Sequence, residues 1–201
     1  WELRETLRED LWLVVMSATL DAAPVAALLN DAPIVTSAGR SFPVELTYLP
    51  RPAPKDLPFE AQARNLIMQA LADTEGGLLV FLPGEAEIRR TKAALQNHLP
   101  KNCVLRLLLG NLPFAEQQLA IQPEAQKNMR KIVLATAIAE TSLTIQDIRV
   151  VVDCGRARRA RYDPSKGLQK LVTERVSKAE ATQRAGRAGR RVQGFVPRRR
   201  G

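Results

Sequence analysis

A glutamine and three arginines recur at short spacing near the end of the chain, in the segment QRAGRAGR, residues 183–190. If this segment is helical, a rotation of 100° per residue places Gln183, Arg187 and Arg190 on one face only about 60° wide. Two guanidinium groups and one carboxamide on so narrow a face form a set of donors suited to phosphoryl oxygens. The spacing therefore predicts a site for a phosphate-bearing ligand.

The residues before this segment favour a helix, whereas the glycines within it do not. Ser177 followed by Glu180 fits a capping box, which predicts that the helix begins at about residue 178. Glycine weakens a helix by about 1 kcal/mol relative to alanine, so we expect Gly186 to permit the close approach of a backbone or a phosphate. The alternative is a solvated basic helix with arginines extended into water, which would leave Gly186 and Gly189 unexplained.

The charge of the chain is concentrated in its last quarter. Residues 156–201 carry 15 Lys and Arg against 3 Asp and Glu, a net charge of +12, whereas residues 1–155 carry 15 against 18, a net charge of −3. A basic region on a nearly neutral body favours an anionic partner, nucleic acid or nucleotide. Aromatic residues make up only 4% of the chain, so a contact along the phosphate backbone is favoured over base stacking.

Cysteine, histidine and apolar content exclude several classes of protein. Cys103 and Cys154 lie in or at the end of apolar runs and are expected to be reduced, buried thiols. With His98 as the single histidine, expected at the surface, no zinc site can be assembled and no metal ligands are predicted. The sequence has neither an apolar run long enough to span a membrane nor a basic-then-apolar leader. We therefore expect a soluble, cytoplasmic protein that has no membrane partner.

Short apolar runs alternate with segments of helical period along the chain. Strands are predicted at residues 11–16, 44–49, 77–82, 103–109, 131–136 and 148–154, with a further one at 168–173. Helices are predicted at residues 21–30, 59–73, 85–98 and 113–121. This order predicts an α/β fold with a parallel sheet covered by helices on both faces. In such sheets ligands bind beyond the carboxyl ends of strands, so the loops after Met16, Leu82 and Thr136 are the candidate sites.

Several segments together resemble a known family. QRAGRAGR resembles the arginine-finger motif of superfamily 2 helicases in its DEAH-box form. Four further segments resemble that family's motifs in the right order, namely SAT at 17–19, GRSFPVE at 39–45, LLVFLPGEAEI at 78–88 and ATAIAETSLTI at 135–145. The segment from residue 151 to residue 190 is similar to the bacterial HrpB subgroup of this family.

The resemblance implies a part of an ATP-dependent RNA helicase with the RecA-like fold of the P-loop NTPases. Residues 1–38 would be the C-terminal tail of the first RecA-like domain, and residues 39–201 the second RecA-like domain, truncated at its end. The printed sequence contains neither a G-x-x-x-x-G-K-[ST] phosphate loop nor an Asp-Glu-x-His box. ATP and Mg²⁺ would thus be held mainly by the first domain, and the 201-residue chain alone is expected not to hydrolyse ATP.

The resemblance also implies roles around the nucleotide. Arg187 and Arg190 would be catalytic arginine fingers that neutralise charge on the transferring γ-phosphoryl group. Gln183 would orient the attacking water or contact the γ-phosphate. The nucleotide side of the threonine-rich loop would be formed by Ser142, Thr144 and Gln146.

RNA contacts and interdomain coupling are assigned by the same resemblance. Thr136 would hold an RNA phosphate, Gly84 would offer a backbone amide to the RNA, and Arg184 would brace the helix or reach RNA. Ser17 and Thr19 would couple the state of the ATP to movement between the domains. In the alternative interpretation the hydroxyls of residues 136–144 satisfy only loop and helix-end backbone groups.

The chain departs from the family pattern at four places, one of which is LLGNLPFAEQQ at residues 108–118, where the pattern has Tyr-Gly-Ala-Leu. Ala137 stands where the pattern has asparagine, and Gln146 stands where it has an acidic residue that would contact the ribose. The segment after Arg191 is expected to lack the closing strand. Two other functions stay open, a non-catalytic RNA-binding module that keeps the fold and an unrelated nucleotide-binding α/β protein. A phosphate loop upstream would favour the helicase over the first of these, and the second would need a glycine-rich loop after the first strand.

Overall fold

The computed structural model describes residues 6–8, 10–16, 22–36, 45–47, 54, 56–126, 128–140, 144–165, 167–187 and 193–195. The chain divides into two compact units, Trp1–Ser41 and Phe42–Gly201. No helix among these residues is long and apolar enough to cross a membrane.

The described residues of the first unit include a short helix and an apolar segment that forms no strand. Helix α1, Ala22–Leu28, lies within the predicted helix at 21–30, and its expected cap Asp21 lies outside the described residues. The strand predicted at residues 11–16 is wrong, because this segment forms no strand and the side chains of residues 12–16 are exposed, Trp12 by 93%. An apolar run becomes a buried strand only where neighbouring strands accept its backbone hydrogen bonds, and no described strand pairs with these residues.

The second unit alternates strands and helices. Its strands are β1 Glu45–Thr47, β2 Gly77–Phe81, β3 Cys103–Leu108, β4 Arg130–Ala135, β5 Ile148–Asp153, β6 Arg156–Asp163, β7 Leu168–Arg175 and β8 Gln193–Phe195. Its helices are α2 Phe59–Asp73, α3 Glu85–Leu95, α4 Phe114–Ile121 and α5 Lys178–Ala185, with a 3₁₀ turn at Ala137–Ala139. The elements predicted between residues 44 and 154 are confirmed.

Six strands form one parallel sheet in the order β1-β8-β5-β2-β4-β3. This arrangement confirms the predicted fold class. The expectation that the chain lacks a closing strand after Arg191 is wrong, since β8 pairs with both β1 and β5. The sequence VQGFV is short and contains a glycine, so tertiary pairing rather than strand propensity defines this element.

Alternate residues of the central strands pack on opposite faces of the sheet. Leu78 and Val80 contact the cluster that includes Ile67 of α2 and Ile88 of α3. Leu79 and Phe81 belong to a second cluster, which includes Ala120 of α4 and Ala139 of the 3₁₀ turn. Helices thus cover both faces, which explains why β2 is a continuous apolar run rather than an alternating one.

Strands β6 and β7 form an antiparallel hairpin outside the parallel sheet, paired from Arg156 with Arg175 to Asp163 with Leu168. The strand predicted at residues 168–173 is confirmed as part of β7, whereas its partner β6 was not predicted. The sequence of β6, RARRARYD, is dominated by charge and has no apolar run of the kind that marks a buried strand.

The cysteines and the histidine agree only in part with expectation. Cys154 is a buried, free thiol at the end of β5, and burial raises its pKa to about 12. Cys103 is free but only partly buried, which differs from the fully buried thiol expected there. Its strand β3 lies at the edge of the sheet and is covered less completely. His98 is exposed, as expected.

Candidate functional site

Helix α5 begins with the predicted capping box. The backbone N–H of Glu180 donates to the Ser177 hydroxyl at 3.2 Å, and the backbone N–H of Ser177 donates to the Glu180 carboxylate at 2.7 Å. Arg159 of the hairpin also pairs with the Glu180 carboxylate. These contacts fix where the helix starts and tie it to the hairpin.

Helix α5 ends earlier than the helical-wheel argument requires. It stops at Ala185, and Gly186 is its C-cap, so Arg187 lies just beyond the helix. The prediction of one continuous helical face that includes Arg187 is therefore wrong, and Arg190 lies outside the described residues. A glycine at this point costs helical stability, and the backbone N–H of Arg187 instead bonds to the Arg184 carbonyl at 3.0 Å.

Gly186 does not serve the close approach expected of it among the described residues. A Cβ at this position would meet only the carbonyl oxygens of Gln183 and Thr182, at 3.5 and 3.6 Å. These are ordinary van der Waals distances, and the residue is exposed. Gly186 has φ −62° and ψ −11°, a right-handed backbone that any residue can adopt, and the close approach of a phosphate to it stays a prediction.

Arg184 is a fully buried charged side chain of the site. Its side chain is 1% exposed, its Nε donates to Glu140 Oε1 at 2.6 Å, and its Nη1 donates to Asp153 Oδ1 at 2.8 Å. The guanidinium also stacks over the Phe81 ring, 4.8 Å from the ring centroid. This placement contradicts the expectation that Arg184 reaches RNA and agrees with the alternative that it braces the helix.

Asp153 ends strand β5 and is buried beneath α5. Its Oδ1 accepts hydrogen bonds from Arg184 and from the backbone N–H of Gly155 at 2.8 Å, and Gly155 has a φ of +69° that favours glycine at this turn. Burial raises the pKa of the Asp153 carboxyl above its ordinary value, and the charge of Arg184 opposes this shift. Its Oδ2 is buried and has no hydrogen-bond partner among the described residues.

Gln183 lies beside the loop that follows β4. The side chain is partly buried, and its Nε2 is 3.5 Å from the Glu140 carbonyl oxygen. Glu140 thus contacts two consecutive residues of α5, Gln183 through its carbonyl and Arg184 through its carboxylate. The carboxamide expected at a γ-phosphate is therefore held close to the threonine-rich loop.

Thr136 follows the last residue of β4 and is partly buried. Its carbonyl accepts a hydrogen bond from the backbone N–H of Ala139 at 3.2 Å, but its side chain makes no capping hydrogen bond to the 3₁₀ turn. This weakens the alternative in which the hydroxyl merely caps the turn. The backbone expected to hold an RNA phosphate thus lies at the carboxyl end of the sheet.

The residues expected on the nucleotide side of this loop are only partly described. Thr144 and Gln146 are exposed, and the Gln146 backbone N–H donates to the Ile121 carbonyl at 3.0 Å. Ser142 lies outside the described residues, as do Ser17 and Thr19, the pair expected to couple the domains. The structure therefore leaves the side chains of Thr144 and Gln146 accessible for a ligand.

Gly84 is covered by the hairpin. The residue is buried at the start of α3, and a Cβ there would lie 2.8 Å from Arg158 Nη1. Arg158 of β6 pairs at 3.2 Å with Glu87, one turn into α3. The expected contact between the Gly84 amide and RNA stays a prediction, to which the structure adds a contact between Gly84 and the hairpin. The absence of β6 from the predicted elements explains why the sequence did not indicate this contact.

Three residues that organise the site were not predicted, Glu140, Asp153 and Arg158. Asp153 could have been found, because an acidic residue that ends an otherwise apolar strand (VVVD) is unusual in a buried position. Glu140 and Arg158 carry no such local signal, since each is defined by a partner distant in the sequence.

Comparison with known proteins agrees with this geometry. The profile of the helicase conserved C-terminal domain family matches residues 62–192. The chain belongs to this family. The match runs from within α2 to just past the arginine-rich segment, and so includes the Thr136 loop and α5.

The relatives of this helicase C-terminal domain include the ATP-dependent RNA helicase HrpB of Escherichia coli, 49% identical over 189 residues that cover 94% of this chain and 23% of the relative. The HrpA homolog of Haemophilus influenzae is 38% identical and covers 94% of this chain and 14% of the relative. Human ATP-dependent RNA helicase DHX33 is also 38% identical, with coverage of 96% and 28%.

Two solved structures of Escherichia coli HrpB share the fold. One, described as a DExH-box NTPase, superposes with a TM-score of 0.87 at 46% identity, and covers 98% of this chain and 24% of that protein. The other, described as a DEAH/RHA helicase, gives a TM-score of 0.88 at the same identity, with coverage of 98% and 25%. This helicase C-terminal domain therefore spans about a quarter of the length of these proteins.

Proposed function

We propose that this domain is the second motor domain of an ATP-dependent RNA helicase of the DEAH/RHA family. It would supply arginine fingers for ATP hydrolysis and half of a groove for the RNA backbone, opposite the first RecA-like domain. One observation carries the proposal: the end of α5 and the loop after β4 are joined through Arg184 and Glu140. A nucleotide-facing element and an RNA-facing element are thereby held together at one edge of the sheet.

Arg187 and Arg190 would neutralise charge on the γ-phosphoryl group as it transfers to water. Charge stabilisation of this kind contributes about 10³–10⁵-fold to turnover in related phosphoryl-transfer enzymes. Gln183 would orient the water or contact the γ-phosphate, which its position near the C-terminal end of α5 permits. These groups can act only on a nucleotide presented across a cleft by another domain.

The loop after β4 would contact both the nucleotide and the RNA. Thr144 and Gln146 have exposed side chains, and together with Ser142 they would contact the nucleotide. Thr136 would hold one RNA phosphate through its hydroxyl and the following backbone amides. Ser17 and Thr19 would transmit the state of the nucleotide between the domains.

ATP and Mg²⁺ would be held mainly by the first domain. Within the described part of this chain, no group of three or more His, Cys, Asp or Glu side chains could hold a metal ion. The guanidinium and carboxamide groups near the site suit phosphate oxygens, and the two carboxylates there, Glu140 and Asp153, both contact Arg184. The chain alone would therefore bind RNA but not turn over ATP.

Replacement of Arg187 in the full-length protein tests this proposal. Arg187→Ala is expected to lower kcat for RNA-stimulated ATP hydrolysis by about 10³-fold, while KM for ATP changes little, because the charge acts mainly in the transition state. Arg149→Ala is the control, since Arg149 is an exposed arginine near the opposite end of β5. A variant that raises KM and retains kcat would contradict the finger role, and RNA binding by a full-length protein without ATPase activity would favour the RNA-binding module.

A further inference from the structure

Three separate segments meet at the guanidinium of Arg184. The side chain leaves α5, its Nη1 contacts Asp153 at the end of β5, and its Nε contacts Glu140 in the loop after β4. The Phe81 ring at the end of β2 covers the flat face of the group. Arg184 thus joins the finger-bearing end of α5 to two neighbouring loops at the same edge of the sheet.

The two carboxylates around Arg184 are held very differently. Asp153 is 1% exposed, and its Oδ1 is also bonded to the Gly155 backbone, so its position is set by β5 and the turn that follows. Glu140 is 12% exposed and lies in the loop four residues after Thr136. Asp153 is therefore a fixed anchor for Arg184, and Glu140 is the contact that can move with the loop.

A continuous chain of contacts runs from the loop to the fingers. The 3₁₀ turn connects Thr136 to Glu140 through backbone hydrogen bonds of 3.2 Å from Ala139 to Thr136 and 2.9 Å from Glu140 to Ala137. The Glu140 carboxylate then holds Arg184. A displacement of the loop by an RNA phosphate would be transmitted along this route.

The route continues from Arg184 into the residues proposed to act on the nucleotide. Its carbonyl accepts the backbone N–H of Arg187 at 3.0 Å, and the neighbouring Gln183 reaches the Glu140 carbonyl. We propose that Arg184 and Glu140 are positioning residues that couple RNA binding at the Thr136 loop to the placement of Gln183 and Arg187 for ATP hydrolysis. This inference rests on the proposed function.

The chemistry of the pair supports coupling rather than stability alone. A buried ion pair contributes little net stability compared with apolar side chains of similar volume. Apolar side chains would therefore serve better if the contact only stabilised the packing of α5 on the sheet. An arginine with separate donors for two carboxylates can instead keep one contact while the other changes. Around Arg184, the fixed contact is Asp153 and the contact that can change is Glu140.

Glu140→Gln in the full-length protein tests the coupling, because it removes the charge and keeps an oxygen acceptor of nearly the same size. Glu124→Gln is a matched control, since Glu124 is also 12% exposed and pairs with Arg106 at 2.9 Å near the edge strand β3, away from α5. ATP turnover is measured with and without single-stranded RNA, together with RNA affinity and the thermal unfolding midpoint. A second variant, Arg184→Lys, keeps the positive charge but cannot contact both carboxylates in the same way.

We expect Glu140→Gln to lower the RNA-stimulated kcat by about 10-fold, within the range that a coupling contact carries. Basal turnover should fall clearly less than RNA-stimulated turnover, RNA affinity should stay within about two-fold, and Glu124→Gln should match the wild type. Equal RNA stimulation in Glu140→Gln and Glu124→Gln would overturn the inference, and so would equal loss of basal and stimulated turnover. Unfolding of both Glu140→Gln and Arg184→Lys would overturn it as well, since the contacts would then be structural. Wild-type protein without RNA-stimulated hydrolysis would refute the proposed function itself.

Discussion

Arg184 Nη1 lies 2.8 Å from Asp153 Oδ1, and each of the two side chains is only 1% exposed. An arginine in a glycine-rich basic segment is thus an internal ion pair rather than a surface contact for RNA. Because neither charge is exposed to water, removal of one would leave the other buried without a counter-charge. The stability of the domain and its pH dependence should both reflect this relationship.

Removal of one partner of the buried pair should be far more damaging than removal of both. Arg184→Met is expected to lower the free energy of unfolding by about 3–5 kcal/mol, because it leaves Asp153 buried without its counter-charge. The double variant Arg184→Met, Asp153→Asn should recover a large part of this loss. Urea unfolding of the chain measures both values, and losses that simply add in the double variant would contradict the pairing.

The pH dependence of stability should reveal the burial of Asp153. Burial already raises the pKa of this carboxyl, and Arg184 opposes the shift, so Arg184→Met should raise the pKa further. A folded-state pKa above the unfolded value means that the folded protein retains the proton longer. The stability that the protonated Asp153 carboxyl contributes is fully present below the unfolded pKa and is lost as the pH rises through the folded pKa.

The free energy of unfolding should therefore depend on pH more steeply in Arg184→Met than in the double variant. Between about pH 4 and the raised pKa, the free energy of unfolding of Arg184→Met should fall by up to about 1.4 kcal/mol per pH unit relative to that of Arg184→Met, Asp153→Asn. Chemical denaturation at several pH values gives both curves. Parallel curves would mean that Asp153 does not titrate differently in the folded and unfolded chains.

The capping box should set the stability of α5. Ser177→Ala removes the hydroxyl that accepts the Glu180 N–H and is expected to cost about 1 kcal/mol of unfolding free energy. Thr182→Ala is the matched control, because this exposed hydroxyl inside the same helix bonds only the Lys178 carbonyl, which the helix already uses. The control should change stability by less than about 0.5 kcal/mol. Equal effects of the two substitutions in urea unfolding would show that the cap is not a special contact.

Much of the fold was predictable because the central strands are continuous apolar runs bounded by turn residues. Strands β2, β4 and β5 are buried on both faces, so their sequences carry a strong signal. The same signal misled at residues 11–16, where an equally apolar run forms no strand and residues 12–16 are exposed. An apolar sequence indicates that a segment needs packing partners, but it does not show that such partners lie next to it.

The site was predictable in kind but not in arrangement. The spacing of Ser177 and Glu180 located the start of α5, because a capping box is a local interaction. The fate of Arg184 was not predictable, since its partners Glu140 and Asp153 are 44 and 31 residues away along the chain. The cover over Gly84 likewise depends on Arg158, which reaches it through a hairpin that the sequence did not indicate.

The sequence by itself determined the alternation of strands and helices, the helix cap and the concentration of basic residues, because each depends on neighbours within a few positions. The tertiary structure alone decided which arginine is buried and which lies beyond the end of the helix. It also decided which loops share an edge of the sheet and which backbone the hairpin covers. These outcomes depend on distant carboxylates and on strand order, since a charge is stable in the interior only where the fold brings its partner to it.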